Sequence, residues 1–425
     1  MADDPTRTAV VGLGYVGLPL AVTFAKAGFE VLGIDSSKER VAEVQAGKAA
    51  TPDVAAGELA ALVETGRITA SLDFAEVRGA ELVSICVPTP LSKSKDPDIS
   101  HIVSACESLA PYLSEGTVVV LESTTYPGTT REIILPRFES EGFTVGEDLF
   151  LAFAPERVDP GNPDWNIANT PKVLGGVTEA CGRKARELYS RALDEVHSVS
   201  SAEAAEMVKL LENTFRSVNI GLVNELAMVC ERLGVSVWEV IEAASTKPFG
   251  FMPFRPGPGL GGHCIPIDPL YLSWKMRTLD YKVRFIDLAD EVNSSMPAWV
   301  IGRVTHILNL SAKALRGSRI LVLGVAYKAN VDDVRESPAI VLYEKLGRLG
   351  AELQYHDPHV PRFDLEERTV EGIGLDAALA GRFDLILIVT AHDRVDHDAF
   401  ADLRIPVLDA RNALRGRHEP HIHRL

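Results

Sequence analysis

The chain has 425 residues, enough for two or three domains, and 46% hydrophobic with 24% charged residues is ordinary globular composition. A formal net charge of -16 excludes a general nucleic-acid binder, which presents a basic face, but leaves room for an anionic small ligand held by local Arg and Lys residues. Cys86, Cys106, Cys181, Cys230 and Cys264 are widely spaced with no CxxC pair, which speaks against a disulfide framework or a zinc site, and no metal is expected.

The first residues, Met1-Ala-Asp-Asp-Pro-Thr-Arg7, lack the apolar core of a signal peptide. No apolar run approaches the roughly 18 residues of a membrane span, so no membrane is expected and a reducing cytoplasm is the expected home. Residues 8–13 read as a strand, 17–27 as a helix closed by Gly28, and Glu30–Ile34 as a second strand. Short apolar runs at 82–87, 117–121 and 149–154 continue the pattern, and such alternation predicts parallel strands with helical crossovers.

Ala202–Leu233 then reads as one long helix, with Met207, Leu210, Leu211, Phe215 and Val218 at spacings of three and four. Val292, Met296, Val300, Val304 and Leu308 share a second helical stripe, beside Trp299 and Ile307, where Pro297 should bend the helix or remove a hydrogen bond. Helices this long without a covering sheet often pair with another subunit. Alternation returns with strands at Arg319–Leu323, Glu352–His356, 385–389 and 406–408, and a helix capped by Ser337, opened by Pro338 and ended at Gly350. The pattern predicts two α/β domains flanking a helical connector.

Gly12-Leu13-Gly14-Tyr15-Val16-Gly17 is a GxGxxG turn between a strand and a helix, the context that a dinucleotide site requires. Gly12 permits the turn, Gly14 lets backbone approach a pyrophosphate, and Gly17 lets the helix pack on the strand. Asp35 closes the second strand, where a carboxylate accepts both ribose hydroxyls and favours NAD over NADP; Arg40, a turn later, can stack on the adenine. The plain alternative makes Asp35 a helix cap.

Residues 248–269 form a Gly- and Pro-rich loop that ends in Gly261-Gly262-His263-Cys264-Ile265-Pro266-Ile267-Asp268-Pro269. Cys264 precedes a predicted helix, whose N-terminal field favours a thiolate nucleophile; the alternative is a small buried hydrophobe. Asp268 before Pro269 is a good helix cap, or a catalytic carboxylate as well. His263 reads as a packing or hydrogen-bonding residue rather than a base.

Six motifs in order resemble the UDP-glucose/GDP-mannose dehydrogenase family: Val11-Gly-Leu-Gly-Tyr-Val-Gly-Leu-Pro-Leu20, Glu122-Ser-Thr-Thr-Tyr-Pro-Gly-Thr129, Ala154-Pro-Glu-Arg-Val158, Lys209-Leu-Leu-Glu-Asn213, Gly261-Gly-His-Cys264 and Arg335-Glu-Ser-Pro338. The resemblance implies an α/β fold of two Rossmann-like doubly wound domains joined by a helical connector with a long central helix. The expected division is an NAD-binding domain over 1–197, a helical dimerisation and catalytic-loop domain over 198–313, and a UDP-sugar-binding domain over 314–425. It further implies a homodimer or higher homo-oligomer and a four-electron oxidation of a sugar CH2OH to a carboxylate with NAD as acceptor.

In that chemistry Cys264 attacks the aldehyde, and a thiohemiacetal and then a thioester form on its sulfur. By resemblance Lys209 stabilises the oxyanion with Asn213 assisting, Asp268 and Thr124 handle water, and Glu156 is an acid/base partner or water positioner. Val87, Pro88, Thr89 and Thr124 match positions beside the nicotinamide ribose, and Arg335 matches a residue that reaches NAD. Tyr327, Lys328 and Arg411 match nucleotide-sugar positions, as do Arg157, Val158, Gly259, Gly261 and Gly262, while Arg255 or Lys247 can reach a neighbouring subunit's sugar. Taken singly, Lys209 and Asn213 would be a solvated helix face, Thr124 a strand-end residue, and Glu156 half of a surface ion pair.

Two departures bear on the substrate. UDP-glucose members carry a second glutamate where this chain has Pro160, a role left absent or taken by a group such as Asp159, and a lysine where it has Ile267. The loop is similar to that of members acting on UDP-N-acetylhexosamines, so UDP-N-acetylglucosamine or its manno epimer is expected, with UDP-glucose as the alternative. A two-electron hydroxyacid-type dehydrogenase and a non-catalytic NAD sensor are the remoter readings.

Overall fold

The computed structural model describes residues 5–49, 51, 54–92, 96–158, 162, 164–262, 264–365 and 368–425; His263, Asp159 and Pro160 lie outside them. The chain divides into two compact units, Met1–Glu212 with Leu270–Tyr281, and Asn213–Pro269 with Lys282–Leu425.

The first unit is built on an eight-stranded sheet: β1 (Arg7–Val11), β2 (Glu30–Ile34), β3 (Ile68–Ser71), β4 (Leu82–Ile85), β5 (Val118–Leu121), β6 (Phe150–Phe153), β7 (Lys172–Gly176) and β8 (Val196–Val199). Their order is β3-β2-β1-β4-β5-β6-β7-β8, parallel throughout except that β6 meets β7 antiparallel. Helices α1 (Gly17–Lys26), α2 (Lys38–Gln45), α3 (Ala56–Glu64), α4 (Ser100–Leu109), α5 (Leu135–Ser140) and α6 (Glu179–Tyr189) accompany it. One hydrophobic cluster centres on Leu18, Phe24 and Tyr189 and a second on Ile102, Ile134 and Phe138. The order reverses between β1 and β4, and the carboxyl ends of those strands form the crevice where such sheets bind ligands.

Within this sheet the sequence pattern misses β3, β7 and β8. Val196–Val199 carries only two apolar residues and none of its residues is buried, and β7 opens with a lysine, which reads as the end of a loop.

Helix α7 (Ala202–Leu233) follows in one piece, and the unit boundary falls within it. In the second unit come α8 (Val237–Ser245) and, after α9 (Asp268–Arg277), α10 (Arg284–Leu310). Pro297 does not end α10; the carbonyl that it leaves without a helical donor is that of Asn293, and a Cβ built on Gly259 would lie 3.6 Å from that oxygen. The second sheet holds β9 (Arg319–Leu323), β10 (Glu352–His356), β13 (Leu385–Ile388), β14 (Val407–Asp409) and β15 (Ile422–Arg424) in the parallel order β10-β9-β13-β14-β15. A small hairpin pairs β11 (Arg362–Leu365) with β12 (Arg368–Glu371), and the helices are α11 (Pro338–Arg348), α12 (Leu375–Ala380) and α13 (His397–Ala401). Ser337 caps α11 as its sequence predicts.

The two sheets begin alike. Gly12 ends β1 at φ +93° and donates to Ile34 O; Gly324 ends β9 at φ +79° and donates to His356 O. Asp35 accepts the Leu13 N–H at 2.8 Å and the Ser37 N–H at 2.9 Å, while Asp357 accepts those of Val325 at 2.7 Å and His359 at 2.8 Å. Each carboxylate at the end of a second strand thus braces the turn after the first.

Candidate active site

The glycines of the first turn divide their tasks by geometry. A Cβ on Gly12 would lie 2.5 Å from Cys86 O, and one on Gly17 only 1.7 Å from Gly12 O, so neither position admits a side chain. A Cβ on Gly14 would meet nothing within 4 Å, so here the backbone faces open space. Helix α1 has no side-chain cap at Val16; the Leu18 N–H donates to Gly14 O at 3.1 Å and Pro19 carries none, so what the helix start offers an anion is chiefly its positive dipole end. Tyr15 is 42% exposed beside it. Asp35 is not a helix cap: Ser37 caps α2, accepting the Arg40 N–H. The Arg40 guanidinium pairs with Glu43 at 3.1 Å.

Across the crevice, Val87, Pro88 and Thr89 follow β4, and Ser123 donates to Val87 O at 2.7 Å, which ties the Thr124 loop to them. Tyr271, a fully buried residue of α9, donates to Thr89 O at 2.7 Å.

Glu156 does not form the surface ion pair with Arg157 that was its plain alternative. Arg157 pairs instead with Glu212, at 2.6 Å. The Glu156 Oε1 accepts the N–H groups of Arg157 and Val158, both at 2.7 Å, and Oε2 faces Lys172 Nζ at 3.2 Å. Lys172 also forms a closer pair with Glu122, whose other oxygen accepts Tyr189 OH at 2.6 Å. Burial pushes the Glu156 carboxyl up, but the Lys172 charge, the Val158 N–H, Lys209 and the Arg157 N–H outweigh it, and the carboxyl lies below its usual range. For Lys172 burial lowers and the two glutamates raise; they prevail, and the ammonium is held charged. Sequence reasoning misses Lys172 and Glu122 as partners of the site, because lysines are rarely buried and only the fold brings β5 beside β6 and β6 beside β7.

Lys209 is 8% exposed rather than on a solvated face, and its ammonium donates to Glu156 O at 2.6 Å. One of three donors is thereby used, and the ammonium has no carboxylate partner among the described residues.

In the second unit Asn213 is also buried, and its side-chain amide donates to Asp268, 1% exposed. Asp268 is the first residue of α9 rather than the residue before it, as a simple cap would be. Cys264 is exposed, so the small buried hydrophobe is set aside, and its carbonyl accepts the Asp268 N–H at 2.8 Å in the turn leading into α9.

The glycine loop packs on the switch point of the second sheet. A Cβ on Gly261 would lie 2.7 Å from Tyr327 Cβ, one on Gly262 2.8 Å from the Tyr327 ring, and one on Gly257 2.5 Å from the Arg411 guanidinium. Gly262 also donates to Arg335 O at 3.1 Å. Gly259, at φ +136°, lies against Pro338. Tyr327 and Lys328 follow β9 and Arg411 follows β14, donating to Val389 O at 2.8 Å. Burial alone lowers Arg411 to about 10, and no carboxylate neutralises it among the described residues. A half-buried cation of this kind beside a glycine-lined backbone suits a phosphate. The Arg335 guanidinium engages Asp333, while Arg255 and Lys247 are exposed.

A phosphate-binding turn at one sheet's switch point and a cationic crevice at another's define a two-unit α/β oxidoreductase that takes NAD and a nucleotide-linked substrate. The chain belongs to the UDP-glucose/GDP-mannose dehydrogenase family: its NAD binding domain matches residues 6–193, its central domain 203–295 and its UDP binding domain 321–416. The chain is 34% identical over 401 residues to the UDP-N-acetyl-D-glucosamine 6-dehydrogenase of Pseudomonas aeruginosa, covering 94% of this chain and 93% of that one. It is 36% identical over 391 residues to the UDP-N-acetyl-D-mannosamine dehydrogenase of Methanocaldococcus jannaschii, covering 91% and 86%. The solved UDP-D-ManNAc dehydrogenase of Pyrococcus horikoshii superimposes with a TM-score of 0.90 at 33% identity, covering 98% of both chains. The protein is an NAD-dependent nucleotide-sugar dehydrogenase. Among the described residues no helix is long and apolar enough to cross a membrane.

Proposed function

We propose that the chain oxidises C6 of a UDP-N-acetylhexosamine, of gluco or manno configuration, to the carboxylate, with Cys264 as nucleophile. The observation that carries this reading is Cys264 itself: it alone of the five cysteines is exposed, and the loop before it is wedged against Tyr327, Pro338 and Arg411. The N-acetylhexosamine substrates named for the relatives favour the N-acetylated sugar over UDP-glucose.

NAD, when bound, supplies the hydride acceptor for both oxidations. Gly12, Gly14, Tyr15, Val16, Gly17 and Asp35 would hold it, and the open face of Gly14 with the uncapped start of α1 fits a pyrophosphate. Cys264 adds to the C6 aldehyde, and the thiohemiacetal so formed keeps that aldehyde from escaping. Oxidation gives a thioester, and water attacks its carbonyl carbon and expels the Cys264 sulfur. Asp268, steadied by Asn213, accepts a proton from that water, with Thr124 orienting it. Lys209 stabilises the oxyanion with its remaining ammonium hydrogens. Arg411 and Lys328 receive the diphosphate, and Tyr327 packs beside it.

In this reading residues 1–197 form the NAD-binding domain, 198–313 the dimerisation and catalytic-loop domain, and 314–425 the UDP-sugar domain. The working form is a cytoplasmic homodimer or higher homo-oligomer. The deciding experiment is NADH yield per sugar, run to completion with UDP-N-acetylglucosamine, UDP-N-acetylmannosamine and UDP-glucose. Two NADH per N-acetylated sugar is expected, and Cys264→Ala should reduce turnover at least about a hundredfold. Two NADH from UDP-glucose alone would overturn the substrate; one NADH with aldehyde accumulating, or full turnover by Cys264→Ala, would overturn the role of Cys264.

A further inference from the structure

We propose that Lys172 is a positioning residue of the reaction: it holds the Glu156 carboxylate folded onto its own backbone and so fixes the carbonyl that grips the Lys209 ammonium. The inference rests on the reading of Lys209 as the oxyanion cation.

Residues 154–158 form no helix or strand, so local backbone pairing does not fix the Glu156 carbonyl. What fixes it is the side chain. One carboxylate oxygen takes two successive backbone N–H groups and the other takes the Lys172 ammonium, so Glu156 is a clamp rather than a proton shuttle. Lys172 opens β7, where it pairs with Val196 of β8, ahead of the Gly175 and Gly176 that pair antiparallel with β6, and its side chain is 4% exposed.

A lysine needed only to neutralise Glu122 would be satisfied there, since Tyr189 OH completes that carboxylate. The further contact to Glu156 extends the network to the site. The groups facing Lys172 are Cys86 after β4, Glu122 after β5, Glu156 after β6 and, through Glu122, Tyr189 of α6; Lys209 of α7 closes the chain. Two carboxylates then alternate with two ammoniums, while burial keeps the Cys86 thiol and the Tyr189 phenol neutral. Without Lys172 two buried carboxylates face each other with no shared cation, and one of them takes a proton.

The test uses the full chain with Lys172→Met, Lys172→Arg and the double variant Glu122→Gln/Lys172→Met, after the wild-type NADH yield is known. Lys172→Met should lower kcat about tenfold or more while KM for NAD stays within about twofold, and Lys172→Arg should recover most of kcat. The acid limb of kcat should move to higher pH, because Glu156 protonates more readily once the ammonium is gone. The double variant removes the unpaired acid along with the cation; it should fold as the wild type does yet remain slow. If it turns over like the wild type, Lys172 serves Glu122 alone and the proposal is overturned.

A second measurement does not depend on turnover. Acylation of Lys209 by acetic anhydride, followed by peptide mass spectrometry, should run about fivefold faster in the double variant, because its ammonium has lost a fixed acceptor. Unchanged labelling would also overturn the proposal. A wild type that makes no NADH from any of the three sugars would instead sink the functional reading, and the labelling would still decide on Lys172.

Discussion

Asp357, at the end of the second strand of the second sheet, carries a strongly depressed carboxyl. Burial pushes its carboxyl up, but the His392 ring N–H and the N–H groups of Val325 and His359 outweigh this and hold it at about 2. His392 Nδ1 accepts the Asn330 N–H at 3.0 Å, so Nε2 carries the proton donated to Asp357 at 2.9 Å. Because the folded value is depressed, the stabilisation is present above the ordinary carboxyl range and is lost as pH falls through about 2; it amounts to about 2 kcal/mol. Asp357→Asn should lose about that much in urea unfolding at pH 7, with the difference from wild type shrinking as both are acidified. A difference independent of pH would refute the linkage.

At the scale of the element, the β1–α1 turn separates folding from binding. Gly17→Ala cannot be accommodated, because the new carbon would lie 1.7 Å from the Gly12 carbonyl; both melting temperature and NAD affinity should fall. Gly14→Ala meets no protein atom within 4 Å, so stability should change by less than about 0.5 kcal/mol. Its methyl group nevertheless enters the space assigned to the pyrophosphate, and calorimetric titration should find NAD affinity down at least about tenfold. Equal affinity in Gly14→Ala and wild type would move the pyrophosphate elsewhere. Much of this turn was legible in advance, since a strand, GxGxxG and a helix follow one another between Arg7 and Lys26. Lys172 was not: nothing in Asn169-Thr-Pro-Lys172 distinguishes a buried lysine from a loop cation, and its partners Glu122 and Glu156 lie 50 and 16 residues away.

At the scale of the whole molecule, α7 leaves Leu222, Leu226, Val229 and Leu233 from 39% to 70% exposed at spacings of four, three and four. This is one apolar stripe on a helix that otherwise buries Val223, Ala227 and Cys230. In the proposed homo-oligomer this face would meet a second copy of the chain, and Leu222→Glu/Leu226→Glu should then lower the sedimentation coefficient to that of a monomer without loss of helical signal. A wild type that already sediments as a monomer would count against the proposed homo-oligomer.

The sequence by itself determined the alternation of strands and helices, the phosphate-binding turn, α7 to the residue and the family, because these are written in local periodicity and in contiguous motifs. It also marked Cys264, though not its exposure. Only the tertiary structure decided that Lys209, Asn213 and Asp268 are buried and that Arg411 lies uncompensated beside Gly257. It alone also decided that the Glu156 carboxylate faces Lys172 and accepts two backbone N–H groups. The reason is physical: a charge's role depends on what desolvates it and what pairs with it, and those neighbours are supplied by strands and loops far apart in the chain.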